Sequence, residues 1–123
     1  MKLSEYEIQQ VLQAAEILTS NLRVYITIPE LLKKVRLTER KLIEGFHQEF
    51  GTTVYSYYTE ARMKKAREMI LEGIPVRHIA RAIGYKGENA KGNFIKAFKK
   101  KFNVTPAVWG RKQLKKPNST LHA

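Results

Sequence analysis

Lysine and arginine are the side chains of this sequence best spaced to act together. Between residues 86 and 116 ten of them stand against one glutamate, a local net charge of +9, with Lys99, Lys100 and Lys101 consecutive. The whole chain of 123 residues carries 23 Lys+Arg against 11 acidic residues, a net +12. That excess costs self-repulsion and makes sense when the partner is a polyanion, nucleic acid first and an anionic membrane surface second. The other reactive groups do not assemble. There is no cysteine, which excludes disulfides, thiolate zinc and cysteine nucleophiles. His47 and His78 have no partners at ligand spacing, and no Ser/His/Asp or paired-carboxylate arrangement stands out, so no metal, cofactor or catalytic activity is expected. No apolar run approaches the ~18–20 residues that span a bilayer, and the N-terminal dozen residues lack the apolar core of a signal peptide. A cytoplasmic protein is expected, with no membrane partner.

The elements that must carry those cations are helical. Apolar residues recur at helical spacing throughout and nowhere alternate with period two, which predicts an all-α fold of about seven helices. The first begins at Ser4, where Ser-x-x-Glu with Glu7 makes a capping box, and ends near Asn21. Thr27 and Glu30 repeat the box ahead of a short helix from Ile28 to Val35. Thr38 caps a third helix bearing Leu42, Phe46 and Phe50, stopped by Gly51. The longest starts at Thr53 and ends before Gly73 and Pro75; a fifth spans Val76 to Ile83. A sixth carries Phe94, Ala97, Phe98 and Phe102, and Thr105-Pro106 opens a seventh that buries Trp109. The phenylalanine stripes read as core rather than as base-stacking platforms. Of Tyr55, Tyr57 and Tyr58, at least one must face solvent.

An internal repeat organises these helices. Leu31, Val35 and Leu37 match Ile79, Ile83 and Tyr85 at an offset of 48, while Leu42, Gly45, Phe46 and Phe50 match Phe94, Ala97, Phe98 and Phe102 at an offset of 52. Each copy is a short helix, a turn and a longer helix, the helix-turn-helix plan. The expected division is residues 4–52 for the first unit, 53–73 for a linking helix, 74–114 for the second unit and 115–123 for a flexible tail. A linking helix of about 20 residues is ~30 Å long, close to the ~34 Å that lets two recognition helices enter successive major grooves.

The stretches PELLKKVRLTERKLIEGFHQEFGTTVYSYYTEARMKKAREMI, VRHIARAIGY and FIKAFKKKFNVTPAVW occur in that order. With them the chain resembles the DNA-binding domain of the AraC/XylS family of bacterial transcription regulators over about residues 5–113. The most specific matches are the Phe46 to Thr53 run, Arg62 to Ala66, Ile79 to Tyr85 and the segment ending at Pro106. The resemblance implies two helix-turn-helix subdomains joined by a long central helix, no enzymatic activity, and sequence-specific binding of double-stranded DNA with RNA polymerase as a further partner. It implies base contacts from Thr38, Glu39, Arg40, Ile43, Glu44 and His47 on the third helix. On the sixth they would come from Asn89, Lys91, Asn93 and Lys96. Phosphate contacts would fall to Arg36, Lys41, Arg77, Lys99 and Lys100, and to the amide ends of the second and fifth helices. Side-chain chemistry supports Arg40 on guanine, Asn93 on adenine and the lysines on guanine or phosphate. Glu44 fits cytosine or an intraprotein pair, and Glu39 with Arg40 fits either a surface pair or a base reader.

Three positions depart from the family pattern: Leu32 for a small alanine, Arg36 for a turn glycine, and Asn103 for another glycine. A charge-driven, non-specific architectural nucleic-acid binder is the alternative function. Relatives often carry a further domain for effector binding or dimerisation, and Met1 ahead of the first helix suits either a stand-alone regulator or a C-terminal fragment. The second unit holds four more residues than the first, in the stretch KGENAKGN after Tyr85. They lengthen either the sixth helix by a turn capped at Asn89, the favoured reading, or the loop ahead of it.

Overall fold

The computed structural model describes residues 2–115. Among them the chain forms seven helices and no strand: α1 (Glu5–Thr19), α2 (Ile28–Leu32), α3 (Glu39–Phe50), α4 (Val54–Leu71), α5 (Val76–Ala82), α6 (Ala90–Phe102) and α7 (Pro106–Lys115). They build two compact units, Met1–Arg62 and Met63–Ala123, with the division falling inside α4. The tail expected at 115–123 lies outside the described residues apart from Lys115, which closes α7.

In the first unit both capping boxes form. The Ser4 and Thr27 side chains accept from the Glu7 and Glu30 amides, and each glutamate reaches back to its cap's amide. These bonds satisfy donors that the first turn leaves without partners, and they hold both glutamates' pKa below the ordinary 4.5. For Glu7 the larger cause is Lys41, whose ammonium sits on its carboxylate. Val11, Ala15 and Leu18 of α1 bury against Leu31 of α2 and Leu42 and Phe46 of α3. Each large side chain so buried contributes about 1.5–3 kcal/mol. Tyr58 is buried and donates its hydroxyl to the Leu22 carbonyl at 2.7 Å, Tyr57 packs on Phe46 and Phe50, and Tyr55 is exposed.

Helices α1 and α2 end short of the sequence reading by more than one residue, while α4 starts at Val54 and α5 stops at Ala82, each one residue inside it. Helix α1 stops at Thr19, short of Asn21. Helix α2 stops at Leu32 rather than Val35, because the Lys33 and Lys34 amides turn back to the Glu30 and Leu31 carbonyls. Val35 stays buried all the same: its apolar character specifies depth, not helicity.

The second unit repeats the plan. Ile79, Ile83, Phe94 and Phe98 are completely buried, with Met63 and Ala66 of α4 beneath them and Trp109 of α7, half-buried, packed on Phe98. The match extends to the caps. Gly51 closes α3 at φ 69°, and Asn103 closes α6 at φ 68°, each amide donating four residues back, to His47 and Lys99. Asparagine replaces glycine there because it tolerates the left-handed region.

The turns between helices are where the copies part. The second turn uses Gly84 at φ 105°. At the matching position Arg36 keeps a negative φ, and its amide instead donates to the Gln10 Oε1 of α1 at 2.7 Å. A neighbouring side chain thus replaces a backbone conformation that arginine would adopt at a cost.

Candidate nucleic-acid interface

In each unit the second helix of the repeat turns one face into the core and the other to solvent. On α3, Thr38, Glu39, Arg40, Ile43 and His47 are exposed and Glu44 is half-exposed. Arg40, Glu44 and Gln48 follow one another at four-residue intervals, so they stack as neighbours on the outward face. Among the described residues no ion pair or side-chain hydrogen bond involves Glu39, Arg40, Glu44 or His47. The intraprotein pairs considered for Glu39 and Glu44 are therefore not made. Ile43, 44% exposed, adds an apolar surface beside these polar groups. Glu39, Arg40, Ile43 and Glu44 line one shallow depression.

On α6, Asn89, Asn93, Lys96, Lys99 and Lys100 are exposed along one side. Lys91 is exposed too but turns away from the Asn89, Lys96, Lys100 row. It lines an apolar groove of about 490 Å³ with Val76, Ile95, Thr105, Pro106 and Ala107. Arg77 is exposed in the first turn of α5.

The KGENAKGN stretch divides its four extra residues unequally. Helix α3 starts two residues after Leu37, whereas α6 starts five after Tyr85, and α6 has 13 residues to the 12 of α3. Three additions therefore lengthen the turn and one lengthens the helix, against the favoured reading of an added turn. Gly87 at φ 82° bends the chain, the Ala90 amide donates to its carbonyl at 3.2 Å, and Ala90 is buried. Asn89 precedes α6 without a side-chain cap bond, because its backbone (φ −96°, ψ 15°) is not the extended form from which a cap side chain reaches the helix amides. Its amide group is left exposed at the leading edge of α6.

Two residues named as phosphate ligands stand in different settings. Arg36 is exposed, while Lys41 is paired with Glu7, so its charge is already compensated. The start of α2 is likewise occupied by its own Thr27–Glu30 box, whereas α5 begins without a side-chain cap. Sequence reasoning passed over Gln48, although its spacing from Arg40 and Glu44 marks the same face.

Charge separates the two units completely. The first contains eight basic residues and eight glutamates, and the second contains fifteen against three, so the whole +12 belongs to the second. Among the described residues no group of three or more His, Cys, Asp or Glu could hold a metal ion, and no helix is long and apolar enough to cross a membrane.

A family model for a helix-turn-helix domain of the AraC type matches residues 31–112, from α2 of the first unit to α7 of the second. The chain belongs to the AraC-type helix-turn-helix family. It is thus a DNA-binding domain of a transcriptional regulator. Among relatives, this AraC-type domain is 26% identical over 102 residues to the lactose operon transcription activator of Staphylococcus xylosus, matching 82% of this chain and 36% of that protein. It is 29% identical over 66 residues to regulatory protein PchR of Pseudomonas aeruginosa, 54% of this chain and 22% of that one. The chain therefore spans about a third and about a fifth of the length of these two curated relatives. The fold is shared with a transcriptional regulator of the AraC-type DNA-binding domain-containing proteins from Chromobacterium violaceum, at TM-score 0.75 and 24% identity over 89% of this chain and 95% of that one. It is shared also with the C-terminal domain of AraT, a response regulator from Geobacillus stearothermophilus, at TM-score 0.68 and 22% identity over the whole of both chains.

Proposed function

We propose that this AraC-type domain binds specific duplex sequences by inserting α3 and α6 into successive major grooves. The observation that carries this is the pair of outward rows, Arg40, Glu44 and His47 on α3 and Asn89, Asn93 and Lys96 on α6. Both stand on helices whose opposite faces are fully buried, and neither row is paired among the described residues. Helices so anchored hold their side chains in fixed register, which base reading needs. Arg40 suits guanine, Asn93 suits adenine, Glu44 suits the cytosine amino group and exposed Ile43 suits a thymine methyl.

The two units divide the work. The neutral first unit contributes discrimination, and the second, with Arg77, Lys99 and Lys100, contributes most of the counterion release. The regulator acts on bacterial DNA in the cytoplasm, at the nucleoid, and there contacts RNA polymerase. An effector-binding or dimerisation domain, on a longer parent chain, would supply the signal.

The test is competition between a duplex selected from a random pool and unselected duplex at fixed salt. Specific recognition predicts a ratio of about 10³ or more, and a ratio below about 10 would sink it. The charge of the second unit favours one rival, an architectural binder held by phosphates alone, and that low ratio is its signature.

A further inference from the structure

Gly92 lies inside α6, where glycine destabilises a helix relative to alanine. The other six glycines of the chain have reasons within the fold: Gly51, Gly73, Gly84 and Gly87 take positive φ, and at Gly45 and Gly110 an added Cβ would press on Val11 and Ile70. Gly92 has neither. Its φ is negative, it is exposed, and a Cβ built there meets nothing within 4 Å. The protein's own packing therefore gives no cause for the missing side chain.

Its position suggests one. Gly92, Lys96 and Lys100 follow at four-residue intervals along the outward face, with Asn89 and Asn93 beside them. In the repeat this row matches Arg40, Glu44 and Gln48, so Gly92 stands where the first unit carries an arginine. We infer that Gly92 is the point of closest approach between α6 and DNA, where bare backbone rather than a side chain meets the duplex. This rests on the function proposed above and adds a specificity-determining residue to it. The two units then read by different means. Arg40 reaches out on a long arm, whereas α6 seats deeper and brings Asn89, Asn93 and Lys96 within reach together. A glycine where another chain must approach closely is a recurrent use of that residue.

The experiment compares the wild-type chain with Gly92→Ala on a duplex selected from a random pool by the wild type. Melting of each protein is measured alongside. The inference expects opposite signs: the melting temperature rises by roughly 2–8 °C, as relief of the glycine cost in a unit of this size implies. Affinity for the selected duplex falls roughly tenfold, within the range that one spoiled contact costs a specific site. A Gly92→Ala protein that is more stable and binds as tightly as wild type overturns the inference and leaves the DNA-binding reading intact. A lowered melting temperature also overturns it, because the fold would then need the glycine. Failure of the wild type to select any sequence overturns both.

Discussion

Replacing Lys99 and Lys100 together by alanine isolates the electrostatic part of binding. Both side chains are exposed in the last turn of α6, and neither has a partner among the described residues. If each neutralises one phosphate, removing both makes the slope of log affinity against log salt shallower by about 1.8. Between 50 and 200 mM salt, a fourfold change, the wild type should then lose about 12-fold more affinity than the variant. Selected and random duplexes should weaken alike, since phosphates carry no sequence. The same lysines face the negative end of the α6 dipole, so the variant also loses about 0.3–1 kcal/mol of helix stability per charge. Melting measured in parallel separates that loss from binding. Fluorescence anisotropy titrations at four or five salt concentrations supply the slope. An unchanged slope, or a loss confined to the selected duplex, would refute the assignment of these lysines to phosphate.

Arg40→Ala should cost about 1–3 kcal/mol on the selected duplex and little on random DNA, relaxing preference at one base pair; equal losses on both would move Arg40 to the phosphates. Gly45→Ala should destabilise the first unit. The new methyl would lie 2.3 Å from Val11 Cγ2, and an overpacking cost of about 1–3 kcal/mol outweighs a helix-propensity gain of up to about 1 kcal/mol. A raised urea midpoint would contradict this. Acid should weaken the first unit through Glu7 and Glu30. Their folded pKa values lie below 4.5, so the stability they confer is present above that pH and is lost as pH falls through the folded values. Tyrosine fluorescence from the first unit should report loosening during acid titration before Trp109 responds, and Glu7→Gln should flatten the pH dependence. Simultaneous tyrosine and Trp109 transitions, or the same pH dependence in wild type and Glu7→Gln, would count against it.

The repeat was legible because apolar spacing specifies burial. Leu31, Leu42 and Phe46 and their counterparts Ile79, Phe94 and Phe98 are all fully buried, and Ser4, Thr27 and Thr38 all cap the helices they precede. What the sequence concealed depends on contacts distant along the chain. Gln10 satisfying the Arg36 amide spans 26 residues, and Glu7 meeting Lys41 spans 34, with no local pattern to announce either. Helix α6 does start directly after Asn89, as expected, but without the side-chain cap bond and with one added residue rather than a turn. Residue type alone gives Asn89 a capping preference, whereas Gly87 at positive φ and burial of Ala90 set the backbone path that keeps its side chain from the helix amides. The row Arg40, Glu44, Gln48 could have been found complete, since only its four-residue spacing is needed.

Methylation interference on the selected duplex bears most directly on the central claim, because methylated guanine N7 lies in the major groove. The account predicts two clusters of interfering guanines on one face of the DNA, centred about 10–10.5 base pairs apart. The cluster assigned to the first unit should lose its interference in the Arg40→Ala protein. A single cluster, or weak interference spread evenly along the duplex, would contradict insertion of two recognition helices.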